Sequence, residues 1–145
     1  MGVTSSNKQI NTDRIGCEGS LRVTLALTAA PDIISNPTDI VLALDRSGSM
    51  SGTPLSNMKA GAKTFIDIID EATDGGKDGQ IGFGSRIGIV SFADTATANA
   101  QLITSVDALK LAVDDLDAGG STNHAAAFTK AMDLFDPSSS NAKVI

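Results

Sequence analysis

The chain has one cysteine, Cys17, and neither tryptophan nor tyrosine among its 145 residues. A single thiol excludes an intrachain disulfide and any zinc site built on several thiolates. Five phenylalanines are the only aromatic side chains, so base stacking on an aromatic platform would have little to use. These shortages exclude a disulfide scaffold and disfavour a surface that binds single-stranded nucleic acid.

Positive charge is scarce as well. Seventeen acidic against eleven basic side chains give a net charge of -6, which repels nucleic-acid backbones and anionic membrane surfaces. No apolar run approaches the roughly 18 residues of a membrane-spanning helix, and the first eleven residues lack the apolar core of a signal peptide. We therefore expect no nucleic-acid partner, no membrane insertion and no signal peptide, and these features leave the cell compartment unknown.

Hydrophobic residues make up 41% of the chain and charged residues 19%, which suits a folded domain rather than a disordered chain. Residues 1–19 are polar and rich in serine, asparagine and glycine, so they predict a flexible leader. Residues 20–37 predict a peripheral strand and a connection, because apolar and polar residues alternate from Leu21 to Thr28 before two prolines. The main domain is expected from residue 38 to residue 145.

Two kinds of apolar segment alternate in this main domain. Strands are predicted at Ile40–Leu44, Ile87–Phe92, Ala98–Ile103 and, just beginning, Ala142–Ile145. Helices are predicted from Thr53 up to Gly75, from Val106 to Leu116 and from Asn123 to Phe135. The last helix is expected to bury Phe128, Ala131, Met132 and Phe135, and Met58 is expected in the core as well. The order predicts an α/β fold, a doubly wound, mostly parallel sheet with helices on both faces.

A polar loop directly follows the predicted buried strand Ile40–Leu44. It carries Asp45, Ser47 and Ser49 at alternate positions, so a gently curved loop can turn three oxygen atoms toward one point. A carboxylate with hydroxyl groups suits Mg²⁺, or Mn²⁺ and Ca²⁺, rather than a soft metal. A simpler reading is a serine- and glycine-rich turn that only caps the next helix.

A second loop, Gly119–Asn123, offers Thr122 as a further hydroxyl ligand at the start of a helix. Together, Asp45-x-Ser47-x-Ser49 after the first core strand and Gly119-Gly120-x-Thr122 downstream resemble a von Willebrand factor type A (vWA) domain of bacterial type, with a Rossmann-like fold. The resemblance covers residues 38–145, the N-terminal portion of such a domain. It implies a metal-ion-dependent adhesion site (MIDAS) whose ion is held by Asp45, Ser47, Ser49 and Thr122 and completed by a partner's Asp or Glu.

The resemblance is incomplete at one point. The family has one more acidic ligand, an Asp after the next core strand, and the sequence ends at Ile145 where that strand begins. The fold is therefore expected to stop after the start of the fourth core strand, which leaves a central strand and apolar helix faces uncovered. A complementary C-terminal segment in another chain, self-association and a partial sequence are the three explanations left open.

Two further residues are candidates for the rim of the site. Asp94 lies in the turn after the Ile87–Phe92 strand, and His124 follows the threonine loop. The leading hypothesis is a metal-dependent protein-binding module for adhesion or assembly, without catalytic residues. The alternatives are an Mg²⁺-dependent phosphoryl-transfer or hydrolytic enzyme using Asp45, or a metal-free structural subunit. A secreted or cell-surface location is implied by the resemblance alone.

Overall fold

The computed structural model describes residues 2–10, 23–30 and 36–145. The chain divides into two compact units, residues 1–34 and residues 35–145. In the first unit, β1 (Gly2–Ile10) pairs with β2 (Val23–Ala30) in antiparallel register. The polar residues of β1 lie within the predicted flexible leader at 1–19, and their strand pairs through the main chain. Residues 11–19 lie outside the described residues.

The second unit contains a mixed sheet of four strands in the order β5-β4-β3-β6. These strands are β3 (Thr38–Asp45), β4 (Arg86–Phe92), β5 (Ala96–Ile103) and β6 (Ala142–Val144). β3 lies between β4 and β6 and is parallel to both, whereas β5 runs antiparallel to β4. The prediction of a central parallel strand is therefore confirmed, as is a final strand beginning beside it.

Helices cover both faces of the sheet. α1 (Thr53–Asp74) and α2 (Val106–Asp114) pack on the face that carries Leu44 and Ile87, and α3 (His124–Met132) contacts the face that carries Val41 and Val90. Alternation of side chains along each strand separates these two cores. The doubly wound, mostly parallel Rossmann-like α/β fold is confirmed. In the described part of the chain, no helix has both the length and the apolar character needed to cross a membrane.

The outer side of α3 departs from the prediction. Ala131 and Phe135 are buried as expected, but Phe128 is 58% exposed and Met132 is 62% exposed. These two side chains are one helical turn apart, and the alanines of α3, rather than its larger residues, face the sheet. The prediction that Phe128 and Met132 belong to the core is wrong for this reason. Met58 does pack against the core.

A buried ion pair lies at the amino end of strands β3 and β4. Asp39 is fully buried, and its carboxylate accepts two hydrogen bonds from the Arg86 guanidinium, at 2.9 and 2.7 Å. The amide of Asn141 donates to Asp39 Oδ1 at 2.9 Å and to the Gly84 carbonyl at 3.0 Å. Hydrogen bonding from Arg86 holds the pKa of Asp39 below its ordinary value. This network ties β3, β4 and the approach to β6 together.

Candidate metal centre

The predicted site lies where β3 and β4 end side by side. Asp45 and Phe92 are register partners at the carboxyl ends of these parallel strands. The next amide, Arg46 N–H, donates to the Phe92 carbonyl at 2.9 Å, so the loop after β3 leaves the sheet at a fixed point. In open α/β sheets this carboxyl edge is where ligands bind.

The first loop gathers the three predicted ligands. Asp45 Oδ1 accepts a hydrogen bond from Ser47 N–H at 2.8 Å, and the hydroxyls of Ser47 and Ser49 lie 3.2 Å apart. A single 3₁₀ turn over Gly48–Met50 produces this curvature. Burial rises from exposed Ser49 through half-buried Asp45 to Ser47, which is 2% exposed. The structure thus brings together one carboxylate and two hydroxyls, as the spacing predicts.

The second loop is attached to the first by its main chain. Gly119 N–H donates to the Arg46 carbonyl, and Gly48 N–H donates to the Gly120 carbonyl, both at 2.8 Å. A Cβ at Gly48 would stand 3.2 Å from the Gly120 oxygen, a tight approach that glycine avoids. Thr122 is exposed and follows Gly120 by two residues. The loop that carries Thr122 therefore lies against the loop that carries the serines.

Asp94, one of the two rim candidates, lies against the loop that carries Thr122, and a role on the rim stays a prediction. Its carboxylate accepts hydrogen bonds from Ser121 N–H at 3.1 Å and from the Ser121 hydroxyl. The Ser121 hydroxyl is the main cause of a lowered pKa of Asp94, followed by the Ser121 amide. Asp94 therefore fixes the residue next to Thr122. Sequence reasoning missed Ser121 as the partner, although an aspartate in a turn after a strand was a signal that it bonds nearby backbone.

His124, the other rim candidate, is the first residue of α3. Asn123 caps this helix by accepting Ala126 N–H at 3.0 Å, and its own N–H donates to the Ala93 carbonyl at 2.8 Å. The His124 ring lies 5.5 Å from the Phe92 ring, at 56°. His124 is exposed at the same edge of the sheet, and a role on the rim stays a prediction.

The donor set fits a hard divalent cation. Within residues 36–145, Asp45 forms no salt bridge and its Oδ2 accepts no hydrogen bond. A half-buried carboxylate without a cationic partner, next to two hydroxyl oxygens, suits Mg²⁺, Mn²⁺ or Ca²⁺. Asp45, Ser47, Ser49 and Thr122 are the residues that would hold such an ion.

The family model that describes the von Willebrand factor type A domain matches residues 40–145. The chain belongs to the vWA domain family. The match includes both loops of the candidate site and the second unit from Ile40 onward. The sequence matches none of the curated proteins with which it was compared.

Solved structures with the same fold come from several settings. The vWF domain of the type V pili tip protein Mfa5 from Porphyromonas gingivalis is 20% identical with a TM-score of 0.65, over 74% of this chain and 36% of that one. A von Willebrand factor type A structure from Catenulispora acidiphila is 26% identical with a TM-score of 0.57, over 97% and 32%. Proximal thread matrix protein 1 from the mussel byssus, with a zinc-occupied MIDAS motif, is 23% identical with a TM-score of 0.57, over 75% and 28%. This vWA chain thus spans about a third of the length of these structures.

Proposed function

We propose that this vWA domain is a divalent-metal-dependent protein-binding module that serves adhesion or assembly. The arrangement of Asp45, Ser47 and Ser49 carries the proposal: two hydroxyls 3.2 Å apart beside a carboxylate that no described cation pairs. Thr122 would complete the protein ligands from the adjoining loop. Mg²⁺ is the proposed ion, with Mn²⁺ or Ca²⁺ as substitutes, and a zinc-occupied MIDAS in a byssus protein of the same fold supports a metal at this place.

The partner's chemistry follows from the ligand charges. Hydroxyl ligands are neutral, so an ion held by a single carboxylate keeps most of its positive charge and can accept another oxygen anion. We propose that a partner protein supplies this anion as an Asp or Glu side chain. A pilus tip protein with the same fold supports an adhesion or assembly role and a secreted or cell-surface location.

The proposal makes Asp45 a metal ligand rather than a catalytic nucleophile. In the rival hypothesis Asp45 is a phosphoryl-group nucleophile, which needs a neighbouring acid or base. Position 47, where a second carboxylate would serve, holds a serine whose amide instead bonds Asp45 Oδ1 at 2.8 Å. Hydrolysis of an aryl phosphate in the presence of Mg²⁺ that disappears in Asp45→Ala would favour the enzyme.

We also propose that the exposed side of α3 and β6 packs against a complementary segment that continues the family fold. Phe128, Met132 and Val144 are exposed by 58%, 62% and 49%, and β6 pairs with β3 alone among the described strands. Large apolar side chains and an uncovered strand edge are typical of an interface. A dimer in size-exclusion chromatography with light scattering would point to self-association of this chain instead.

Calorimetric titration of Mg²⁺ and Mn²⁺ tests the proposed site. The chain should bind one ion at the MIDAS, and Asp45→Ala should lose this binding while keeping its circular dichroism spectrum. Asp133→Ala is the matched control, because Asp133 is an exposed aspartate after α3 and should bind like the unchanged chain. Equal binding by Asp45→Ala would contradict the proposal. Failure to bind any divalent ion even with a complementary segment present would favour a metal-free structural subunit.

Partner binding is tested separately with a carboxylate probe. A peptide that contains a single Glu should bind in Mg²⁺ and be released by a chelator, and the same peptide with Gln should not bind. Metal binding without any preference for the Glu peptide would leave a metal site but remove the adhesion role.

A further inference from the structure

A second group of carboxylates lies at the other end of α1. Asp70 and Asp74 belong to the last two turns of the helix, and Asp78 is in the loop that follows. One oxygen of each carboxylate lies within 4.8 Å of an oxygen of the other two. A helix of 22 residues is about 33 Å long, and α1 begins just after the serine loop. This group is therefore separate from the MIDAS.

Asp70 distinguishes this group from an ordinary acidic surface. Its side chain is 2% exposed, and its Oδ1 is buried without any hydrogen-bond partner in the part of the chain that the structure describes. A buried carboxylate oxygen that lacks a partner is unfavourable unless a cation or a donor compensates it. Asp74 and Asp78 are exposed beside it, so the cluster extends from the buried Asp70 to the surface.

The main chain of the loop leaves one oxygen of each carboxylate free for a ligand. Gly79 N–H donates to Asp70 Oδ2 at 3.2 Å, and Gly76 N–H donates to Asp74 Oδ1 at 3.1 Å. Asp78 Oδ1 accepts Gln80 N–H at 2.9 Å. These amides orient all three side chains and occupy only one oxygen of each. The three carboxylates are thus positioned by main-chain N–H groups, which carry no net charge.

The nearby lysine does not neutralise these carboxylates. Lys77 lies within the same loop, but its Nζ contacts Glu71 at 3.4 Å, and none of the three aspartates has a salt-bridge partner within residues 36–145. The carboxylates also stand at the carboxyl end of a helix, where the helix dipole adds negative potential and the last turn carries no basic residue. Both effects favour a bound cation.

We propose that Asp70, Asp74 and Asp78 form a second divalent-cation site that binds Ca²⁺. Oxygens that share one Ca²⁺ lie 2.3–2.6 Å from it and so can be up to about 5 Å apart. The oxygens of the three carboxylates lie within 4.8 Å of one another, so a small adjustment of the exposed Asp74 and Asp78 side chains brings all three to Ca²⁺. Mg²⁺ requires oxygens at 2.0–2.1 Å, thus within about 4.2 Å of one another, and near-ideal octahedral geometry. Ca²⁺ also accepts irregular coordination, which suits two carboxylates from a helix and one from the loop after it.

A cation bound by Asp70, Asp74 and Asp78 would stabilise the loop between α1 and β4. Gly82 N–H already donates to the Thr73 hydroxyl at 2.8 Å, and a Cβ on Gly82 would stand 2.9 Å from Asp74 Cβ. The loop therefore passes directly over the end of α1. Binding an ion there joins Asp78 in the loop to Asp70 in the helix, and so stabilises the connection to β4.

Amide NMR spectra recorded during a Ca²⁺ titration of the whole chain test the proposal. We expect the amides of Gly76 and Gly79 to shift, because each donates to a carboxylate of the site. These shifts should persist in Asp45→Ala, which removes the first site. They should disappear in Asp74→Asn/Asp78→Asn, whose two changes lie at exposed positions, and remain in the exposed control Asp133→Asn.

Two results would overturn the proposal. One is a Ca²⁺ titration that moves only the amides of the MIDAS loops, such as Gly48 and Gly120. The other is calorimetric Ca²⁺ binding by Asp45→Ala that is unchanged by the double substitution. Because the sequence has no tryptophan, calorimetry and NMR replace fluorescence as the readout. Because these measurements use Asp45→Ala, which lacks the first site, their result does not depend on whether the MIDAS proposal is correct.

Discussion

Strand β3 carries an aspartate at each end, and the two have opposite surroundings. Asp39 is fully buried and accepts hydrogen bonds from Arg86 and Asn141. Asp45, six residues later and thus about 20 Å away along the strand, accepts one main-chain hydrogen bond and has no described cationic partner. The comparison indicates that the two aspartates differ in where their positive charge comes from, and therefore in role. The protein supplies the cation at the amino end, and we propose that solvent supplies it at the carboxyl end.

The two ends also differ in what holds them together. At the amino end, side chains bond to one another and leave no carboxylate oxygen without a partner. At the carboxyl end, main-chain bonds such as Gly48 N–H to the Gly120 carbonyl join the loops, so side-chain oxygens stay available. The first arrangement stabilises the fold, and the second supports a binding site.

The largest effect is expected from Asp39→Ala. This change leaves the Arg86 guanidinium without its partner and should lower the free energy of unfolding by about 3 kcal/mol, the lower end for a broken buried pair, since Arg86 is partly exposed. Urea unfolding followed by circular dichroism measures it. Asp133→Ala, which removes an exposed contact of 4.0 Å to Lys130, should cost less than about 0.5 kcal/mol. Equal losses in the two variants would remove the contrast between the ends of β3.

Gly120→Ala should damage the carboxyl end alone. Gly120 has a φ of 80°, and a Cβ there would collide with Asp94 Oδ2. We expect a loss of about 2 kcal/mol in stability, from the backbone conformation and the displaced side chain, together with weaker Mg²⁺ binding. Gly119→Ala is the matched control, because a Cβ at Gly119 meets nothing within 4 Å. If both variants bind Mg²⁺ normally, the second loop does not position a ligand.

Acidification should weaken the ion pair at the amino end. Hydrogen bonds from Arg86 lower the pKa of Asp39 in the folded state, so Asp39 stabilises the protein above its unfolded-state pKa of about 3.9. This contribution is lost as the pH falls through the folded-state pKa. Urea midpoints at pH 7 and pH 3 should therefore differ less in Asp39→Asn than in the unchanged chain. In Asp133→Asn, an exposed position whose carboxylate contacts Lys130 at 4.0 Å, they should differ as much as in the unchanged chain, and an equal reduction in both variants would argue against a special role for Asp39.

The periodicity of the sequence predicted much of the fold. Of the two ends of β3, it predicted the carboxyl end and not the amino end. The apolar run at Ile40–Leu44 placed the central strand, and the spacing of Asp45, Ser47 and Ser49 placed the oxygens at its end. The amino-end pair was not predictable in this way, because Asp39 and Arg86 are 47 residues apart and become neighbours only through strand register. The contact between Asp94 and Ser121, which are 27 residues apart, was not predicted for the same reason.

Helix periodicity predicted which residues share a face but not which face is covered. Phe128 and Met132 were assigned to the core on spacing alone, whereas the alanines of α3 contact the sheet. The Asp70 cluster was also missed, because glycines with positive φ at 75 and 79 turn the loop back onto the helix and the sequence does not specify that reversal.

The smallest change in stability is expected from Asp45→Asn in the presence of a chelator. An asparagine keeps an oxygen that can accept Ser47 N–H, and the aspartate has no described ion pair to lose, so the free energy of unfolding should change by less than about 0.5 kcal/mol. Mg²⁺ should then stabilise the unchanged chain but not the variant, since only a folded state that binds the ion gains from it. A thermal shift by Mg²⁺ of the same size in both proteins would place the ion elsewhere, and a large loss of stability in chelator would make Asp45 a structural residue like Asp39.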